Sequence, residues 1–476
     1  MIKNSSIILI ILALAFSGHS QTKKYKPDWS SLDSRPVPEW FLDAKFGIFI
    51  HWGVYSVPAW RKVVPGKYAS YAEWYYARVM FDTINGGKEF HNKNYGKDFE
   101  YRDFAPLFKA ELWDPDYWAE LFEDSGAKYV VLTTKHHDGY CLWPTDSPYK
   151  KDWNSVDIGP KRDLVGELTT AVREKGLKMG LYYSIIEWET NKTHRTKSGY
   201  YIPDKLVQKY SIPPEDYIDK HMIPQLKDLV IKYEPSVIFS DAGEWDKTSK
   251  EWKTIDFLAW LYNDGPNANE VVVNDRFGKD MPGKHGDYFS SEYEDAEGMD
   301  KNHAWEESRG MGVSYGYNRA ENIDIYNSSE QLIHELVEIV SRGGNLLLNV
   351  GPTADGRSPV IMQERLKDIG GWLELNGEAI YRTRPWTEST KNLSTKNQKQ
   401  IVFFTEKKDK IFAIYTHWPD NEIIINGISD PVNRINLYGY EKEVSWKQEN
   451  GKVFITPPLV SPGTFKGKYA YVFEIK

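Results

Sequence analysis

The sequence predicts an α/β chain, a (β/α)8-like barrel followed by a small C-terminal antiparallel β-sandwich. Up to residue 385, short runs that are apolar throughout alternate with amphipathic helical patterns. Beyond Tyr381-Arg382-Thr383-Arg384-Pro385 helical periodicity vanishes, and short alternating runs separated by turn residues take over. Strand–helix alternation repeated this often implies parallel βα units, and a closed barrel is the leading arrangement of them. An open doubly wound sheet ranks second, because no Gly-x-Gly-x-x-Gly phosphate cradle follows a strand.

Residues 1–20 read as a secretory leader. One positive charge precedes an unbroken apolar run over residues 7–16, and Gly18-His19-Ser20 leads to a cut before Gln21. Ten apolar residues are too few to span a bilayer as a resident helix. No cysteine follows them to carry a lipid, so no membrane anchor is expected. The one cysteine, Cys141, excludes an intrachain disulfide framework. An exported yet cysteine-poor chain points to a bacterial periplasmic or secreted protein. The net charge of −8 disfavours nucleic acid and anionic membranes as partners.

The barrel occupies residues 21–385. After an opening segment broken by Pro27, Pro36 and Pro38, strands are expected at 46–52, 129–135, 179–184, 236–240, 271–275, 287–291 and 345–350. Several are apolar throughout, as strands covered on both faces should be. Helices fall between them. Asp114-Pro115 is an N-cap with proline at the first helical position, opening 116–125 before Gly126. Residues 164–175 run amphipathically into Gly176, residues 222–232 precede Glu234-Pro235, and 331–341 end at Gly343-Gly344. Residues 386–476 form the sandwich, with strands at 400–405, 411–417, 422–425, 434–437, 452–455 and 470–475.

In barrels of this kind the chemistry lies where the strands stop. The polar residues at those ends are His51-Trp52, Lys135-His136-His137-Asp138, Tyr183-Ser184, Asp241, Asn274-Asp275-Arg276, Glu292 and Asn349. All fall at the same end of their elements. His136 and His137 are neighbours, which alternate faces on a regular strand. No HxH or HExxH spacing supports a metal, so no metal or cofactor is expected, and the imidazoles suit hydroxyl groups instead. Asp241 closes an apolar strand and is followed by Ala242-Gly243. Glu292 ends another, with Glu294, Asp295 and Glu297 crowding behind it. Two carboxylates on separate strand ends, among 69 aromatic residues, are the equipment of a glycosidase. Solvated loop acids, an inactive carbohydrate-binding protein and a metal-dependent hydrolase are the competing readings.

Several motifs resemble the α-L-fucosidases of glycoside hydrolase family 29. They include Phe46-Gly47-Ile48-Phe49-Ile50-His51-Trp52-Gly53, Glu73-Trp74-Tyr75 and Thr134-Lys135-His136-His137-Asp138-Gly139. Trp143-Pro144-Thr145, Lys161-Arg162-Asp163 and Gly180-Leu181-Tyr182-Tyr183-Ser184 fit as well. So do Asn274-Asp275-Arg276, Asn349-Val350-Gly351-Pro352 and Asn376-Gly377-Glu378-Ala379-Ile380-Tyr381. The resemblance runs in order from about residue 35 to 390. It implies a retaining exo-glycosidase acting on a fucosylated glycan, with Asp241 as nucleophile and Glu292 as acid/base, Glu294 being its substitute. It matches His51, Glu73, Trp74, His136, His137, Tyr183 and Arg276 to fucose-contacting positions. Phe239 and Ala242 stand where the family usually has Trp and Gly. Phe239, Tyr315 and Tyr317 are candidates for the wall that meets the sugar's methyl group. An L-galacto-configured sugar is the neighbouring substrate reading, and residues 186–220 read as a subsite-shaping insertion.

Overall fold

The computed structural model describes residues 24–66, 68–190, 202–294, 303–388, 402–461 and 463–476. The expected leader, the run 192–201, Asp295, Glu297 and Gln400 lie outside the described residues.

Eight parallel strands make one sheet: β1 (Phe46–Ile50), β2 (Tyr129–Lys135), β3 (Lys178–Ser184), β4 (Val237–Asp241), β5 (Val272–Val273), β6 (Phe289–Glu292), β7 (Trp305–Gly310) and β8 (Asn345–Val350). Their order, β5-β4-β3-β2-β1-β8-β7-β6, is chain order wrapped round on itself. A parallel bridge between Asn274 and Tyr288 joins the two ends, so the sheet closes into a barrel. Every residue of β1, β2 and β8 is buried. Helices cover the outer face and side chains fill the inner one, which is why these strands are apolar without alternation.

Two strands of the barrel depart from expectation, as do Arg384–Pro385 and Ser445–Glu449 in the C-terminal sheets. β5 is only two residues long, because Asn274-Asp275-Arg276 turns into the loop over the barrel mouth. β7 is a strand although Trp305-Glu306-Glu307-Ser308-Arg309-Gly310 has the composition of a charged loop. It nevertheless pairs in parallel with β6 and β8. Its charges find partners inside the wall: Glu306 accepts from the Tyr129 hydroxyl, and Glu307 accepts from Ser291 Oγ and from Arg309 Nε at 3.1 Å.

The covering helices are α1 (Pro115–Asp124), α2 (Leu164–Glu174), α3 (Ile223–Tyr233), α4 (Thr254–Asp264), α5 (Ser329–Ser341) and α6 (Val360–Asn376). Asp114 caps α1 by accepting from the Asp116 and Tyr117 amides, and Asp163 caps α2 through Gly166. Ser328 and Gln331 form a capping box on α5. The sequence does not mark α4 or α6, and neither has a capping side chain. No helix among the described residues is long and apolar enough to cross a membrane.

The C-terminal strands are β9 (Arg384–Pro385), β10 (Val402–Lys407), β11 (Lys410–Tyr415), β12 (Ile423–Asn426), β13 (Ile435–Leu437), β14 (Ser445–Glu449), β15 (Lys452–Thr456) and β16 (Tyr471–Ile475). They form two antiparallel sheets, β13-β16-β11-β10-β9 and β12-β15-β14. Period-two alternation divides β11 between two cores. Ala413 and Tyr415 pack with Ile425, Val453 and Ile455 of the smaller sheet. Phe412 and Ile414 join the barrel's own core. Trp372 Nε1 on α6 donates to the Ala470 carbonyl at 3.0 Å across this seam.

The barrel wall is packed without slack at β1. A Cβ on Gly47 would lie 2.4 Å from the Tyr129 ring. That ring is boxed in by Phe41 and Trp40, and its hydroxyl is bound to Glu306. Gly47→Ala should lower unfolding free energy by about 1–3 kcal/mol. The measure is a fall in denaturant midpoint at unchanged slope, and an unchanged midpoint would contradict the packing argument.

Candidate active site

The carboxyl ends of the strands surround a pocket of about 410 Å³. Phe49 comes from β1 and His51 directly follows it, Tyr182 comes from β3, Phe239 and Asp241 from β4, and Ser290 and Glu292 from β6. The loop after β1 adds Tyr71, Glu73 and Trp74. His136 and His137 follow β2, Asp275 and Arg276 follow β5, and Tyr315 follows β7. Of the residues expected here, His51, Glu73, Trp74, His136, His137, Phe239, Asp241, Arg276, Glu292 and Tyr315 are brought together.

Tyr183 is not. Its hydroxyl points to the outer face of the barrel and donates to Gln225 Oε1 at 2.9 Å, while the Lys135 ammonium sits 4.0 Å from its ring centre. Successive strand residues face opposite sides, so Tyr182 takes the inner place. The Tyr182 hydroxyl donates to Asp241 Oδ2 at 2.7 Å. Tyr317 and Glu294 also do not line the pocket; the Glu294 amide donates to Glu307 instead.

Both histidines reach the pocket because β2 is irregular there. Its register against β3 shifts between Thr133 and Lys135, and the strand stops at Lys135. Hydrogen bonding then fixes the rings. Asn349 Nδ2 donates to the Tyr315 carbonyl at 2.6 Å, so its Oδ1 accepts from His51 Nδ1 at 2.7 Å. Ser184 Oγ donates to the Ile186 carbonyl at 2.6 Å, so it accepts from His137 Nδ1 at 2.6 Å. Both rings thus present Nε2 to the pocket. Burial pushes His51 down to about 3 and His136 well below the usual imidazole range, so both are neutral.

Asp241 is held on several sides. Besides Tyr182, which donates to Oδ2, the Ala242 amide donates to Oδ1 at 2.8 Å. Ala242 takes a left-handed φ of 62°, the conformation that suits the glycine usual at this place. Arg276 Nη1 lies 3.3 Å from Asp241 Oδ1 and 2.5 Å from Glu292 Oε1. Its Nε donates to Ser290 Oγ at 2.9 Å. Glu73 accepts from Ser314 Oγ at 3.0 Å and the Gly316 amide at 2.9 Å, yet burial raises it to about 7.

Phe49, Tyr71, Tyr182, Glu244 and Trp245 line the pocket without having been singled out. For Phe49 and Tyr71 a signal was present, since each sits two residues before a predicted site residue. Among the described residues, no group of three or more His, Cys, Asp or Glu side chains is arranged to hold a metal ion.

Comparison with known proteins identifies the family. Residues 12–378 match the family model for alpha-L-fucosidase, and residues 395–476 match that for the alpha-L-fucosidase C-terminal domain. The tissue alpha-L-fucosidase of Rattus norvegicus is 39% identical over 475 residues, 98% of this chain and 96% of the relative. That of Bos taurus is 42% identical over 458 residues, 95% of this chain and 91% of the relative. The crystal structure of the Thermotoga maritima alpha-fucosidase in complex with fucose superposes with a TM-score of 0.78 at 40% identity, covering 95% of this chain and 100% of that one. The chain belongs to the alpha-L-fucosidase family of glycoside hydrolases.

Proposed function

We propose that the chain releases terminal α-L-fucosyl residues from glycans by double displacement, with Asp241 as nucleophile and Glu292 as acid/base. One observation carries the mechanism. Because Arg276 Nη1 touches both groups, Asp241 Oδ1 and Glu292 Oε1 are at most about 5.8 Å apart, the sum of the two distances. Retaining enzymes hold the pair roughly 5–5.5 Å apart, and inverting ones roughly 6.5–9.5 Å.

The pocket suits a 6-deoxy sugar. Nε2 of His51 and His137 accept from ring hydroxyls, and Glu73 and Trp74 reach the same side. Phe49, Tyr71 and Tyr315 form an aromatic corner for the methyl group. Asp241 attacks the anomeric carbon while Glu292 protonates the departing oxygen. Water then enters, gives its proton to Glu292 and displaces Asp241, so the freed fucose keeps the α configuration. Arg276 bridges Glu292 and Asp241 and holds the two carboxyl groups facing one anomeric centre. Residues 1–20 act as a leader for export to a bacterial periplasm or medium, residues 21–385 carry catalysis, and residues 386–476 support the barrel.

Asp241→Ala should abolish turnover on every fucoside. Glu292→Ala should suffer most on natural fucosides, whose leaving groups need protonation, and azide should rescue it with an aryl fucoside to give α-fucosyl azide, the product of attack on the covalent intermediate. Wild-type cleavage of natural fucosides by Glu292→Ala would remove Glu292 from the role, and first-formed β-fucose would refute retention. Tyr182→Phe should lower kcat/KM about 10-fold or more by taking a donor from Asp241. Tyr183→Phe should stay within about twofold and lose only about 1 kcal/mol of stability. The reverse order would restore Tyr183 to the site. Dialysis against a chelator should leave activity intact, whereas a stoichiometric metal lost together with activity would overturn the metal-free chemistry.

A further inference from the structure

The pocket holds a carboxyl group that the reaction above does not use. Glu244 lines it from the turn after β4, and its Oε2 is buried without a hydrogen-bond partner. The turn cannot easily carry it away. The Gly243 carbonyl accepts from Trp252 Nε1 at 3.0 Å, and a Cβ on Gly243 would lie 2.5 Å from the Arg276 carbonyl. Gly243–Trp245 is a single tight turn pressed against the loop after β5. A buried polar atom left alone beside a pocket points to a partner that arrives with the ligand.

The charges around Glu244 say what kind of partner. Facing the same space are Asp241 from β4, Asp275 and Arg276 from the loop after β5, Glu292 from β6 and His137 from the end of β2. Arg276 is engaged by Asp241, Glu292 and Ser290. Asp275 is satisfied by Ser290 and the Gly283 amide. Glu73 and Arg78 also line the pocket, Arg78 lying over the Trp74 ring at 4.2 Å and donating to the Tyr68 carbonyl. Glu244, the third carboxyl group beside the reacting pair, thus shares its nearest cation, Arg276, with Asp241 and Glu292. Burial pushes Glu244 up to about 8, and Asp241 and Glu292 add to the rise although Arg276 opposes it. At neutral pH it is therefore a carboxylic acid, with an O–H to donate.

Its position in the barrel says where. The groups that suit the fucosyl ring come from β1, β2 and the loop after β7. Glu244 comes from the turn after β4, and the charges that act on it are Arg276, Asp241 and Glu292, so it sits beside the reacting pair and the bond that breaks. We propose that Glu244 binds the leaving-group sugar, its carboxylic hydroxyl donating to a hydroxyl oxygen beside the glycosidic bond. The substrates favoured are thus fucosides of sugars that carry a neighbouring hydroxyl, over fucosides of aglycones that lack one. This inference rests on the fucosidase reading.

The test compares a fucosyl disaccharide, its analogue deoxygenated next to the linkage, and an aryl fucoside. Each is assayed with wild type, Glu244→Gln and Glu244→Leu from about pH 5 to pH 9. Glu244→Leu should lose about tenfold more kcat/KM on the disaccharide than on either comparison substrate. Glu244→Gln keeps a neutral N–H donor of the same shape and should recover most of that difference. The wild-type KM for the disaccharide should climb above about pH 8 as the donor ionises, and that climb should vanish in Glu244→Gln. Equal losses on all three substrates, or a climb that persists in Glu244→Gln, would overturn the assignment while leaving fucose release intact. A wild-type chain that frees no fucose from any of them would overturn the fucosidase reading along with it.

Discussion

A pair of carboxylates brought close enough to serve one anomeric carbon repel each other, and the barrel mouth depends on the cation set between them. Arg276 is that cation. Burial works against its charge, but Glu292 and Asp241 hold it protonated. Its own placement is built from below: Nε donates to Ser290 Oγ, and Ser290 is fixed through its amide and hydroxyl by Asp275 Oδ1. The contacts run from β4 through the loop after β5 to β6. They therefore cross the part of the barrel where pairing is thinnest, a two-residue β5 and a single bridge from Asn274 to Tyr288. The guanidinium that balances the active-site charge also ties the seam at which the barrel closes.

The chain reveals a good deal of this unaided. Strands with continuous apolar runs, such as Phe46–Ile50 and Asn345–Val350, announce burial on both faces. The polar residues that end them mark the mouth. Two kinds of information are absent. Parity is one: Tyr182 and Tyr183 are chemically identical, and only the strand's rotation in the barrel decides which of them meets Asp241. The other is whether a polar run has partners. β7 looks like a loop until the fold brings Tyr129 of β2 and Ser291 of β6 to its glutamates. Glu244 was hidden for the same reason, because nothing in the order of residues shows that its carboxyl closes on a pocket.

The interior gives the histidines a fixed chemical character. An imidazole in water near neutral pH divides between charged and neutral forms and between two tautomers. Here burial removes the charge from His51 and His136. Asn349 and Ser184 choose the tautomer of His51 and His137, because each spends its own donor elsewhere and can only accept from Nδ1. Such a site recognises hydroxyl donors by lone pairs that need no reorganisation. An analogue lacking the hydroxyl leaves those nitrogens unpaired in a buried place, which discriminates more sharply than the fit of a methyl group.

What holds the histidine loop in place lies outside the barrel. Lys135, at the end of β2, points away from the pocket and meets Glu187 Oε1 at 2.9 Å. The other oxygen takes Lys150 at 2.5 Å, and His221 Nε2 shares Oε1 at 2.7 Å. All four side chains are almost wholly removed from solvent. Burial disfavours the charge on Glu187, but the two lysines and His221 keep it well below the usual carboxylate range. Replacing buried ion pairs by apolar residues often leaves stability unchanged or raises it, so stability alone does not account for this one. Its geometry gives a better reason. Trp188, adjacent to Glu187, donates its amide to the His137 carbonyl at 2.9 Å. The cluster thus ties the segment after β3 to the irregular end of β2, where two neighbouring histidines must face the same way. An apolar patch would fill that space, but only directional bonds to Lys135 and Lys150 set the register on which both imidazoles depend.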